Sequence, residues 1–237
     1  FAYETATIIR HGIDAMYPAE GVDHGEDVFS YLTLYNENYP MPAMPPSPVN
    51  GVDVAAGIVE GLYPWAPAPD TGGPAATILF SGPMWSVAVE AQRLLAEHYG
   101  VGAQLWSATS YQQLRVEALA VERWNGLHPT ETPRAPRVTQ LLDRSLGPIT
   151  AVTDFMRLVP DQISRWAPRR FTSLGTDGFG RSDTREALRR HFEVDAAHIC
   201  VTVLGQLHRD GVVDVGVVSD AIARFGVDPE LPVPWHG

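Results

Sequence analysis

ATILFSGPMWSVAVEAQRLLAEHYGVGAQLWS, residues Ala76–Ser107, decides the fold. Ala76–Phe80 is an almost unbroken apolar run, which predicts a strand buried on both faces. Trp85–Tyr99 carries its apolar residues at helical spacing. A second apolar run follows at Ala103–Ser107. Two such strands joined by one helix predict a βαβ unit with parallel strands.

The alternation continues toward the C-terminus. The spacing predicts a helix over Tyr111–Glu122, a polar, proline-bearing excursion over Arg123–Arg134 and a short helix near Val138–Arg144. A strand at Ile149–Thr153, a helix at Phe155–Ile163 and a strand at Arg170–Leu174 follow. Helices over Thr184–Phe192, Ala196–Arg209 and Val215–Phe225 close the chain. This pattern predicts an α/β fold: three layers, α/β/α, around a mostly parallel mixed sheet. Toward the N-terminus, Pro64–Pro74 (PWAPAPDTGGP) reads as a linker, because proline and glycine break regular structure. Val52–Leu62 reads as a short helix. Pro40, Pro42, Pro45, Pro46 and Pro48 exclude regular structure before it. Val28–Tyr35 (VFSYLTLY) reads as a buried strand. Phe1–Tyr17 reads as a helix, with Ala6, Ile9, Ile13 and Met16 on one face.

Composition removes several functions. The chain of 237 residues carries 17 basic and 28 acidic side chains, a formal charge of −11, and no lysine. A lysine Schiff base and a Gly-Lys-Ser/Thr phosphate loop are excluded. The acidic balance argues against nucleic acid or an anionic membrane as partner. One cysteine, Cys200, cannot form an internal disulfide; it reads as a buried structural thiol in a reducing compartment. No apolar stretch reaches the ~18 residues of a membrane span. No signal peptide is evident, and the chain opens inside an amphipathic pattern, as a piece of a longer polypeptide would.

Among the polar clusters, Asn36-Glu37-Asn38 stands out. It follows the apolar run Val28–Tyr35, and in open α/β sheets ligands bind at the carboxyl ends of strands. A carboxylate there can act as acid, base or ligand anchor; the alternative is a polar turn before the proline loop. Gly175–Asp183 contains half a dinucleotide fingerprint but lacks the third glycine. Asp183 with Glu186 reads as a capping box. Arg181, Arg185, Arg189 and Arg190 read as a solvated basic face, with anion binding as the alternative. Among eight histidines there is no His-Glu-x-x-His, and one cysteine cannot give a zinc cluster. Asp195 reads as the cap of a new helix between His191 and His198. No Gly-x-Ser-x-Gly elbow occurs.

Four stretches carry a family resemblance: YLTLYNENYPMPAMP (Tyr31–Pro45), YGVGAQLWSATS (Tyr99–Ser110), ERWNGLHPTETPR (Glu122–Arg134) and LGTDGFGRSDTREALRRHFEVD (Leu174–Asp195). Together, and in this order, they resemble the homodimeric, bacterial type of pyruvate dehydrogenase first component, a thiamine-diphosphate enzyme of transketolase-like architecture. The resemblance implies that residues 1–63 are the end of a pyrimidine-binding domain, its last helix and strand. Residues 64–74 would be a linker and 75–237 a transketolase-type C-terminal domain. It implies thiamine diphosphate and magnesium in the full enzyme. Neither is expected on this chain, which lacks the Gly-Asp-Gly signature for diphosphate and magnesium. It implies as partners the remaining N-terminal part of the enzyme or a partner subunit, a second copy in a homodimer, and the dihydrolipoyl acetyltransferase, all in the cytoplasm. Glu37, with Asn36 and Asn38 beside it, is the expected catalytic group. After Tyr39 the family often carries an active-centre histidine; here Pro40 stands, which cannot titrate. That departure keeps a different 2-oxo acid, such as 2-oxobutyrate, or a non-catalytic assembly module in view.

Overall fold

The computed structural model describes residues 1–18, 25–35 and 38–236. A five-stranded sheet forms the centre, in the order β1-β3-β2-β4-β5. The strands are β1 (Leu62–Ala66), β2 (Ala75–Phe80), β3 (Gly102–Ala108), β4 (Ile149–Val152) and β5 (Phe171–Leu174). β2, β3, β4 and β5 run parallel, and β1 pairs antiparallel with β3. Nearly every residue of β2, β3 and β4 is buried, as expected of a sheet covered on both faces.

Side chains alternate between two cores, as the two-residue period of a strand demands. Ile78, Phe80, Leu105 and Val152 face one layer, made by α3 (Trp85–Tyr99), α8 (Ala196–Arg209) and α9 (Val215–Arg224). Leu79, Trp106, Ile149 and Ala151 face the other, made mainly by α4 (Tyr111–Leu127) and α5 (Arg137–Leu142). The result is the three-layer α/β/α arrangement expected from the alternation. Outside β1, α1 (Ala2–Met16) and α2 (Val54–Glu60) enclose a small third core of Val54, Ile58 and Tyr63. Each interior fits its cap: Asp53, Ser110, Asp195 and Asp214 accept bonds from first-turn amides of α2, α4, α8 and α9. Gly100 ends α3 in the left-handed conformation at φ 60°. Cys200 is fully buried between α8 and α3, where burial pushes its thiol up to about 12.

Several expectations require correction. Val28–Tyr35 is not a strand; it pairs with nothing among the described residues, and Phe29 and Tyr31 are 89% and 85% exposed. An apolar run becomes a strand only when another edge satisfies its amides and carbonyls, and none pairs with it among the described residues. The stretch read as a linker begins inside β1, since Pro64, Trp65 and Ala66 are sheet. An edge strand tolerates a proline, and the ladder shifts register between Pro64 and Ala66. The helix expected over Phe155–Ile163 shrinks to α6 (Leu158–Asp161). The Phe155 carbonyl accepts from Thr176 N, and Arg157 N donates to Asp177, so the first turn is spent on the loop after β5. The excursion expected from Arg123 starts later, because α4 continues to Leu127. The cap of α7 (Arg185–His191) is Thr184, whose hydroxyl accepts from Ala187 N; Asp183 accepts only from Thr184 N.

Candidate functional site

The carboxyl ends of β2, β4 and β5 meet at one edge of the sheet. The chain leaves β2 toward β3 and later returns to the other side of β2 as β4, so this edge is a topological switch point, the usual crevice for ligands. Ser81 after β2 and Thr153 after β4 join their hydroxyls across it, 2.8 Å apart and buried. The Thr153 hydroxyl also receives Phe155 N, and Thr176 Oγ1 donates to the Asp154 carbonyl. Asp154 therefore stands on a turn pinned from β2, β4 and β5.

Its carboxylate accepts a 2.8 Å hydrogen bond from the Tyr35 hydroxyl. Burial pushes the Asp154 carboxyl above its ordinary range, opposed by the Tyr35 bond, its own amide and the charge of Arg189. Burial, and then the bond to Asp154, push the Tyr35 phenol far up, so it serves as a donor. The Tyr35 ring lies over Gly82, where an added Cβ would meet ring carbon Cε2 at 2.6 Å. Gly82 has φ 52°, a second reason for glycine there.

Beside this turn is a cavity of about 400 Å³, lined by Tyr35, Asp154, the loop after β5 and α7. Three arginines, Arg181, Arg185 and Arg189, reach it. Burial, and then the charge of Arg185, lower the Arg189 pKa. Arg189 and Arg190 do not form the solvated face expected of them. Arg189 donates to the Pro83 carbonyl at 3.2 Å and to Ser86 at 3.4 Å. Arg190 ties the α8 cap, Asp195, to the Phe225 and Gly226 carbonyls at the end of α9.

A second polar network lies at the β3 side of the same edge. Glu4 Oε1 accepts from Tyr63 at 2.7 Å and from Ser107 at 2.6 Å, and the Tyr63 and Tyr3 hydroxyls share a bond of 2.8 Å. Burial raises the Tyr3 phenol to about 12. Tyr39 packs against Trp85 at 6.1 Å between ring centres. Its phenol is raised by burial and then by the charges of Glu4 and Asp154.

Of the residues expected to be catalytic, Asn36 and Glu37 lie outside the described residues, and Asn38 is exposed. The described neighbours, Tyr35 and Tyr39, both contact the carboxyl edge of the sheet. Asp154 and the Ser81–Thr153 pair were not singled out by the sequence, and Arg189 was read as part of a solvated basic face. The signal was available, for Asp154 follows a predicted strand just as Glu37 was thought to. The Gly175–Asp183 loop is held structurally: Asp177 pairs with Arg157 at 3.4 Å, and Arg157 lies 4.6 Å over the Trp235 ring. Among the described residues no three His, Cys, Asp or Glu side chains converge as metal ligands, and the sequence has no Gly-Asp-Gly. These residues do not fit a magnesium–diphosphate group.

The family described as the transketolase-like TK C-terminal domain matches residues 61–195, starting one residue before β1. The chain belongs to that family. Among curated relatives, the pyruvate dehydrogenase E1 component of Mycolicibacterium smegmatis is 45% identical over 228 residues, 96% of this chain and 24% of its own length. The protein of the same name from Escherichia coli is 42% identical over 235 residues, 99% of this chain and 25% of its own. The chain thus spans about a quarter of the relatives it matches. A transketolase structure from Leishmania mexicana aligns at 17% identity and a TM-score of 0.43, covering 68% of this chain and 20% of that one. No helix among the described residues is long and apolar enough to cross a membrane.

Proposed function

We propose that this chain is the C-terminal part of a cytoplasmic pyruvate dehydrogenase first component. The reading is carried by its similarity, over almost its whole length, to proteins of that name. In this proposal residues 1–63 complete a pyrimidine-binding domain supplied mostly by chain that precedes them, and 75–237 form the C-terminal domain. Thiamine diphosphate, held with magnesium elsewhere in the enzyme, supplies the carbanion chemistry that decarboxylates pyruvate. The acetyl group then passes to the lipoyl group of a dihydrolipoyl acetyltransferase, and the enzyme works as a homodimer.

The task assigned to this chain is proton handling and orientation. Glu37, with Asn36 and Asn38, is the proposed proton relay and hydrogen-bonding group. The rigid edge around Asp154 and Tyr39 orients the residues on either side. The test is turnover of pyruvate, with cofactor, magnesium and lipoyl acceptor, by a polypeptide extended upstream to the relatives' length. Glu37→Gln in that enzyme should lower turnover by roughly a hundredfold, the scale of one general acid–base group. The present chain alone should show no calorimetric complex with thiamine diphosphate tighter than about millimolar. Pro40 favours a second reading, a first component for a larger 2-oxo acid, and faster turnover of 2-oxobutyrate than of pyruvate would select it.

A further inference from the structure

The carboxyl edge of the sheet holds the chain at two points that flank Asn36-Glu37-Asn38 in sequence. Tyr35, the residue before Asn36, donates its hydroxyl to Asp154 at 2.8 Å. Its ring lies over Gly82 and 6.4 Å from the Phe155 ring. Tyr39, the residue after Asn38, meets the Trp85 ring at 6.1 Å. Glu37 is two residues from either anchor in sequence, a span of about 7 Å of extended chain. The anchors differ in kind. Apolar ring contacts are non-directional and tolerate sliding, whereas a hydrogen bond weakens steeply once it bends. Of these contacts, the Tyr35–Asp154 bond alone fixes a position along the edge. Asp154 is itself held, through the Thr176 bond to its carbonyl and the Thr153 bond to the amide that follows it.

We propose that Asp154 is a positioning residue for the proton transfer assigned to Glu37: by holding Tyr35 it sets where the segment beginning at Asn36 meets the substrate. The proposal rests on the dehydrogenase reading and deepens it. It gives the C-terminal domain a part in turnover, performed without contact with the substrate. The role needs an acceptor oxygen at residue 154 rather than a titratable group.

The anchor is tested on the chain itself. At neutral pH the carbon-13 resonance of the Tyr35 ring carbon that bears the hydroxyl should move toward the free-tyrosine value in Asp154→Ala, and less in Asp154→Asn. An unmoved resonance in the alanine variant would overturn the proposal. The positioning is tested in the enzyme extended upstream to the relatives' length. Tyr35→Phe and Asp154→Ala remove one bond from its two ends. Each should lower kcat about tenfold, the scale of one hydrogen bond to a charged group, with KM for pyruvate nearly unchanged. The double variant should lose no more than either single one, since the bond is already gone. Asp154→Asn should recover most of the loss. Thr184→Ala, which weakens α7 away from this bond, should keep the parental kcat. Additive losses, equal losses in the Asn and Ala variants, a loss confined to KM, or a matching loss in Thr184→Ala would each overturn the role and leave the dehydrogenase reading standing. A parent enzyme that turns over neither pyruvate nor 2-oxobutyrate would overturn that reading, and the role with it.

Discussion

Two aspartates of this chain feel pH in opposite senses. Burial raises the Asp154 pKa, so the native state holds that proton more tightly than the unfolded chain does. Its contribution to stability therefore falls as pH rises through the window above the ordinary carboxylate range. For Asp195 burial alone would also raise the pKa, but bonds from the His198 ring and amide and from Arg190 outweigh it and hold it low. Its contribution is present at neutral pH and is lost as pH falls below the ordinary carboxylate range. Denaturant melts of Asp195→Asn should thus show less acid sensitivity than the parent, while Asp154→Asn should gain most against the parent near neutrality. Thr184→Ala should cost about 1 kcal/mol and Asp183→Ala less, since Thr184 is the α7 cap. Equal losses would return the cap to Asp183. Cys200, fully buried with its thiol raised, should react with a thiol reagent only after unfolding. At this scale the sequence was legible where a residue acts on its own neighbours, as Asp195 does three residues away. It was opaque for Asp154, whose partner Tyr35 lies 119 residues off and whose environment exists only once β2, β4 and β5 have come together.

Strands and helices were legible where the sequence carries its own periodicity and finds its partners nearby. The α3 and α8 boundaries agree with the spacing to the residue, and β2 to β5 lie where apolar runs predicted them. Val28–Tyr35 had the right composition and no partner, and composition cannot announce a missing edge. β1 had a partner and the wrong composition, because Pro64 hides an edge strand. α6 was cut short by bonds to a loop some 20 residues later. The exposed run should be the most vulnerable part of the chain. Chymotrypsin is expected to cut first within 28–46, at Phe29, Tyr31 or Leu34, all exposed, and only later in α7 to α9. Trypsin would miss this region, because Arg10 and Arg93 are consecutive basic residues. First cleavage by chymotrypsin in α8 would show that the C-terminal helices, not the exposed run, open most readily.

For the molecule as a whole, the layers followed from the alternation, but the seam did not. The proline-rich stretch before β2 looked like a division, whereas β1, on its N-terminal side, belongs to the sheet on its C-terminal side. The Gly61 carbonyl accepts from Thr109 and Ser110, and Glu4 reaches Ser107, so the first third of the chain is fastened to β3 at several points. That arrangement has a use at the level of the gene. If translation were interrupted within residues 67–74, the first product would carry β1 as a donor strand and the second an open edge at β3. Co-expressed, fragments 1–70 and 71–237 should purify together, whereas 71–237 made alone should self-associate through the bare edge. Independent, monodisperse behaviour of 71–237 would mean that β1 is dispensable. Co-purification would show that one short edge strand is enough for the two segments to find each other without a covalent link.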